Sequence, residues 1–232
     1  MTSRGGEVSR RTLARQIYEI LLGQIREGSL RPGQRLVEAE IAAAVGTSRG
    51  PVREAIGMLQ RGGLVRTDPF VGASIVELDE REIAEVYSLR SILEGYAASL
   101  VTQRRTADDI AQLQVIVDGM RGTTGPQTVA RLRELDAKFH ATLVRLADDE
   151  QLLQAWERLR GRIALYHTTV EAAFRDGDEL AAMHERLIDA LTDGDPVRAE
   201  QRVRAQLIAN GREWTARVRE RTAREPAGAA RK

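Results

Sequence analysis

From Arg10 to Glu27 the apolar residues Leu13, Ile17, Ile20, Leu21 and Ile25 recur at the spacing of one helix face, and Gly28 marks a natural stop. Pro32-Gly33 predicts a turn, after which Ile41, Ala42 and Val45 predict a short second helix ending near Gly46. A third helix starts at once. In Thr47-Ser48-Arg49-Gly50-Pro51, Ser48 is the expected N-cap and Pro51 falls in the first turn, where a missing N–H does no harm. This helix runs through Val52, Ile56 and Leu59 to Gly62-Gly63. Two β-prone runs follow, Leu64-Val65-Arg66 and Ala73-Ser74-Ile75-Val76. They flank Asp68-Pro69-Phe70-Val71-Gly72, whose turn residues predict a hairpin.

Beyond Val76 the pattern is helical throughout. Asp79 and Glu82 have capping-box spacing, and helices are expected over roughly 80–103, 107–121, 127–147, 150–174, 178–193 and 196–223. Gly122 to Gly125, Asp148-Asp149, Asp176-Gly177 and Gly194-Asp195-Pro196 supply the breaks, and loops this short imply antiparallel neighbours. The expected fold is mainly α: a winged helix-turn-helix over 1–76, an all-α antiparallel helical bundle over 77–224, and a disordered tail over 225–232.

Composition narrows the function. A chain of 232 residues, 42% hydrophobic and 30% charged, can bury two cores. No apolar run approaches the ~20 residues that span a bilayer, and no secretory signal is legible, so a cytoplasmic protein without a membrane partner is expected. Without cysteine there is no disulfide framework, zinc knuckle or thiol nucleophile. Aromatic content of 4% and basic side chains that are arginine except at Lys138 and Lys232 argue against a stacking platform for single strands. Charge is uneven: residues 1–76 carry 11 arginines against 7 acidic side chains, net +4, and the remainder 24 basic against 27 acidic, net −3. A basic head that meets a polyanion and an acidic body with another task fit that asymmetry.

Three helices and a hairpin are the layout of a reader of double-stranded DNA, and the residue types agree. Arg49 and Arg53 lie four apart in the first turns of the third helix, where side chains meet base edges in the major groove. Each arginine can bond guanine or clamp a phosphate, and the sequence leaves both roles open. Thr47, Ser48 and the helix N-terminus suit a phosphate oxygen. The hairpin tip, Val71-Gly72, lacks bulk and charge and suits backbone contact in a minor groove, with Arg66 at its base near the sugar-phosphate edge.

All three histidines fall in the helical part. Asp136 and His140 are four apart beside Leu132, Phe139 and Leu143, and His184 sits among Leu180, Leu187, Ile188 and Leu191, so all three side chains should face the core. His184 and Gln206 lie about equally far from the Gly194-Asp195 turn, which at ~1.5 Å per residue puts them at one height on an antiparallel pair. A carboxylate and imidazoles converging inside a bundle suit a divalent transition metal; the alternative is a polar effector pocket. His167, also inward-facing, either joins the ligands or lines the pocket.

The stretch from Gly28 to Leu36, with Glu38, Glu40-Ile41-Ala42 and the run Val45 to Ile56, resembles the DNA-binding domain of the GntR transcription factors, and Gly62 to Val65 and the Gly72 hairpin continue the match. Downstream, Val86 to Ala97, Asp136 to His140 and His184-Glu185-Arg186 resemble the FadR-like subfamily, whose helical C-terminal domain is called FCD. The resemblance implies a homodimeric bacterial repressor or activator on a palindromic operator, controlled by a small organic acid. It places DNA contacts at Arg35, Thr47, Ser48, Arg49, Gly50, Arg53, Arg66 and Gly72. Threonine is usual where Gly50 stands, and some members have arginine where Ala39 stands, so the operator does not carry over. It implies metal ligands at Asp136, His140 and His184, with Gln206 where members have a further histidine. An amide is a poor ligand for zinc or nickel, so the site binds such a metal weakly, prefers a harder ion such as manganese, or binds none. Arg90 stands where the family has an effector-binding arginine; its other reading is a bridge to Glu94. Arg162, His167 and Asn210 are further candidates for the effector pocket.

Two other functions are weighed. A metal-dependent hydrolase or lyase would use Asp136, His140 and His184 with Glu185 as base, but it leaves the basic head idle and has no HExxH, nucleophile elbow or P-loop behind it. An architectural DNA-binding protein would leave the inward ionisable cluster without a task.

Overall fold

The computed structural model describes residues 5–77, 79–125, 127–169 and 176–224. In order these form α1 (Gly5–Glu27), β1 (Arg35–Leu36), α2 (Glu38–Ala44), α3 (Arg49–Arg61), β2 (Val65–Asp68), β3 (Gly72–Ile75), α4 (Glu80–Arg104), α5 (Ala107–Asp118), α6 (Thr128–Leu146), α7 (Glu150–Thr169), α8 (Gly177–Thr192) and α9 (Pro196–Arg224). The expected tail over 225–232 and the end of the helix expected to reach 174 lie outside the described residues. Two compact units emerge, one of residues 5–77 with Arg160–Thr168, the other of the described residues in 79–159, 169 and 176–224. No helix among the described residues is long and apolar enough to cross a membrane.

In the first unit α1 packs on α3, and Ile17, Leu21, Ile25, Val52, Ile56 and Leu59 meet Leu64, Val65 and Ile75 of the hairpin in one apolar core. Leu165 of α7 joins that core, an addition local patterning could not announce. Ile20, counted on the inner face from its spacing, is exposed, and Leu22 is buried instead. The strands form a three-stranded sheet in the order β1-β3-β2. The unexpected β1 pairs Arg35 with Ser74 and Leu36 with Ala73, and the hairpin pairs Val65 with Ile75 and Asp68 with Gly72. Asp68 closes the tip, its Oδ1 accepting the N–H groups of Phe70 at 2.8 Å and Val71 at 3.1 Å. Gly72 follows at φ +92°, a left-handed backbone that favours glycine.

Ser48 does occupy the N-cap of α3 with an extended backbone, but its hydroxyl makes no capping bond. Pro51 removes one of the two donors open to it. A capping side chain bonds the N–H of the second or third helical residue, and the third is a proline with no N–H.

The second unit is a helical bundle. Asp79 caps α4 by accepting the Glu82 N–H at 2.6 Å, as its spacing predicts. α4 and α9 run antiparallel along each other, and two glycines permit the close approach. A Cβ on Gly95 would lie 2.5 Å from Arg204 Cγ, and one on Gly211 would lie 2.7 Å from Tyr87 Cβ. Tyr87 and Trp214 stack across the same seam at 6.2 Å, and Arg219 grips Glu80 with two bonds of 2.9 and 2.6 Å. α5, α6, α8 and the first half of α7 complete the unit.

Candidate functional site

In the first unit the third helix of the sequence reading is α3, and Arg49, Gly50 and Arg53 lie exposed on its first turns. Arg53 does not stand alone: its Nε donates to Glu38 Oε1 at 2.9 Å and its Nη2 to Glu38 Oε2 at 2.7 Å. Thr47 is half-buried and Ser48 exposed just ahead of the helix. Arg35 donates to the Val71 carbonyl and so braces the hairpin tip from β1. Arg66 is exposed on β2, its Nε 3.4 Å from Ser74 Oγ and its Nη2 3.8 Å from Glu77. The tip is bulkier than Val71-Gly72 implied, because Phe70 is 98% exposed beside them. The exposed arginines, an uncapped helix N-terminus and a stapled hairpin tip present donors suited to duplex DNA.

In the second unit Asp136 and His140 on α6 and His184 on α8 converge, all buried, with one ligand atom from each within 4.8 Å of the others. His184 Nε2 lies 3.3 Å and His140 Nε2 3.6 Å from Asp136 Oδ1. The far side of each ring is anchored. His184 Nδ1 lies 2.9 Å from the Leu180 carbonyl, which can only accept, so Nδ1 is the donor there and Nε2 is the atom that faces Asp136. That Nε2 is buried with no hydrogen-bond partner. A buried imidazole nitrogen without a hydrogen-bond partner, beside a second imidazole and a carboxylate, is an arrangement that a shared cation satisfies, and the residues fit a transition-metal ion on this ground.

His140 Nδ1 lies 2.6 Å from Glu94 Oε2, and Glu94 is the functional residue the sequence reading undervalued. Its Oε1 accepts from Arg90 Nε at 2.6 Å and from the Trp156 indole N–H at 2.8 Å, so Arg90 forms the bridge rather than standing open. Burial works against the Glu94 charge, but the Arg90 and His140 charges with the His140 and Trp156 hydrogen bonds overcome it, holding the pKa at about 2. Burial lowers His140 and the Glu94 charge outweighs it, so the net shift is upward. A carboxylate behind a ligating imidazole fixes its tautomer and raises its basicity.

The other candidates make contacts of their own. Gln206 is half-buried on α9, its amide donating to Asn210 Oδ1 at 3.0 Å. His167 and Arg162 are on the stretch of α7 that belongs to the first unit, where Arg162 Nε donates to the Gly63 carbonyl at 3.3 Å. Glu185, the base of the hydrolase alternative, is ion-paired with Arg121.

Residues 13–75 match the family described as bacterial regulatory proteins, gntR family, and residues 85–209 match the FCD domain. One relative, "Probable D-xylose utilization operon transcriptional repressor" of Paenarthrobacter nicotinovorans, is 32% identical over 209 residues, 86% of this chain and 88% of its own. The gluconate operon transcriptional repressor of Bacillus subtilis (strain 168) is 26% identical, covering 79% of this chain and 77% of its own. The solved structure of E. coli McbR/YncC has the same fold, with a TM-score of 0.73 at 22% identity over 94% of this chain and all of its own. A DNA-binding head joined to a helical FCD domain defines a class of transcription regulator. The chain belongs to the GntR family, in the branch that carries an FCD domain. It is a regulator and not an enzyme, so the hydrolase reading falls.

Proposed function

We propose that this regulator is a cytoplasmic homodimeric repressor that binds a palindromic operator through residues 1–76 and releases it when residues 77–224 bind a small organic acid at a divalent metal. The observation that carries the reading is His184 Nε2, buried without a hydrogen-bond partner and facing Asp136. Asp136, His140 and His184 would hold the ion, and Gln206, its amide nitrogen engaged by Asn210, has an oxygen left that could serve as a harder donor. Two imidazoles and a carboxylate suit zinc or nickel, and an amide oxygen added to them favours the harder manganese. A divalent ion there would supply a Lewis-acidic centre inside the bundle. Two imidazoles coordinating as neutral ligands and one carboxylate would leave it an excess positive charge suited to an organic anion. Arg90 adds its charge from behind Glu94, and Asn210 offers an amide near the same helices.

In the head, Arg49, Thr47, Ser48 and Gly50 meet the major groove and its phosphates, Arg35 and Arg66 support the hairpin, and Gly72 with Phe70 approaches the minor groove. An effector changes operator occupancy only to the extent that it binds one head arrangement better than the other.

The test is metal analysis of the purified protein, followed by anisotropy of DNA from its own upstream region titrated with metal and a panel of carboxylates. His184→Ala is expected to lose the metal and the response to acids while still binding DNA. Full response from the metal-free variant rejects the sensing role.

A further inference from the structure

The sequence leaves open which arginine of α3 reads a base and which holds a phosphate, and the structure offers a criterion in Glu38. A guanidinium has five N–H groups in one plane. Glu38, at the start of α2, takes its side-on edge: Nε–H goes to one carboxylate oxygen at 2.9 Å and one Nη2–H to the other at 2.7 Å. What remains is the end-on edge, one N–H from each terminal nitrogen, which is the pair that matches guanine O6 and N7. The carboxylate therefore does not compete with a base for Arg53.

Two further observations separate this from an ordinary surface ion pair. The side chains are 70% and 30% exposed for Arg53 and Glu38, so the pair adds little stability. A negative charge on the DNA-facing surface repels phosphates, which gives an arginine meant to clamp the backbone no advantage. It does orient one meant for a base edge. The hydrogen bond from Arg53 also holds the Glu38 carboxyl below its ordinary value, keeping it ionised at neutral pH.

We propose that Glu38 is a positioning residue for sequence readout, holding Arg53 side-on so that its end-on edge meets a guanine in each operator half-site, while Arg49 serves the phosphates. This rests on the DNA-reading role of α3 and adds to it a division of labour between two arginines.

The experiment selects binding sequences from a pool of duplexes with a randomised centre, using the full-length protein and its Glu38→Ala, Glu38→Gln and Arg53→Lys variants. The unaltered protein is expected to enrich a two-fold-symmetric site with a fixed guanine in each half. Glu38→Ala should lose about tenfold or more of the preference at that base pair, the range of one bidentate contact. It should keep the other positions and bind unselected duplex at least as tightly, since a negative charge has gone. Arg53→Lys should lose preference at the same position, because an ammonium cannot be held by one edge and read with another. Should Glu38→Ala fail to fold, Glu38→Gln, uncharged and nearly isosteric, carries the same expectation. If the variants retain the preference at every position, or weaken all duplexes alike, the positioning role is overturned. Enrichment of nothing by the unaltered protein overturns the DNA-reading role of α3 itself, and the two failures are told apart at the first step.

Discussion

Glu94 is the residue on which the buried site turns. It is fully buried and accepts from Arg90, His140 and Trp156, so neutralising it leaves the buried Arg90 cation without its counter-charge and the His140 ring without its anionic acceptor. Glu94→Gln is expected to cost about 3–5 kcal/mol at neutral pH, as breaking a buried pair does. The pH dependence has a definite sign. Glu94 ionises at about 2 when folded and near 4.5 otherwise, so its stabilising effect is full above pH 4.5 and fades as pH falls towards 2. Urea melts of both proteins should therefore converge in acid, and a constant gap from pH 7 to pH 3 would refute this. Asp136, His140 and His184 were legible from spacing because four residues on a helix share a face. Glu94 was not: its partners are 46 and 62 positions away, and spacing along one helix offered only Arg90. The amide bond between Gln206 and Asn210 escaped for a related reason, since matching heights on two helices does not tell which way a side chain turns.

At the scale of elements, α4 and α9 share the most extensive contact described, with Gly95 and Gly211 on opposite sides of it. Gly211→Ala places a Cβ against the body of Tyr87 rather than a flexible tip, so one of the two helices must shift. The expected loss is about 1–3 kcal/mol, the usual range for overpacking, measured as a lower melting temperature. An unchanged melting temperature would show that the seam yields. Apolar periodicity and turn residues gave the helices in order, with ends displaced by a few residues where capping chemistry decides. The misses have physical causes. A two-residue strand such as β1 has no period to read, and at the start of α3 the proline at its third position removes one of the two N–H groups that a cap can use.

For the whole molecule, uneven charge was the coarse signal of function, and the family match agrees with what it suggested. Binding through phosphates releases counterions, so operator affinity should fall steeply with salt. In a dimer, Arg49→Ala removes one phosphate contact per protomer and should flatten the slope of log affinity against log salt by about two. A slope left unchanged in a salt titration would remove Arg49 from the interface. Trp156 gives the molecule one further property. Its indole N–H is tied to Glu94, which in turn holds His140, so any change of charge at the buried cluster alters the electric field across an intrinsic fluorophore. The chain has only two tryptophans, and the other, Trp214, stacks on Tyr87, so replacing Trp214 with phenylalanine leaves a single emitter whose colour reports occupancy without any attached dye.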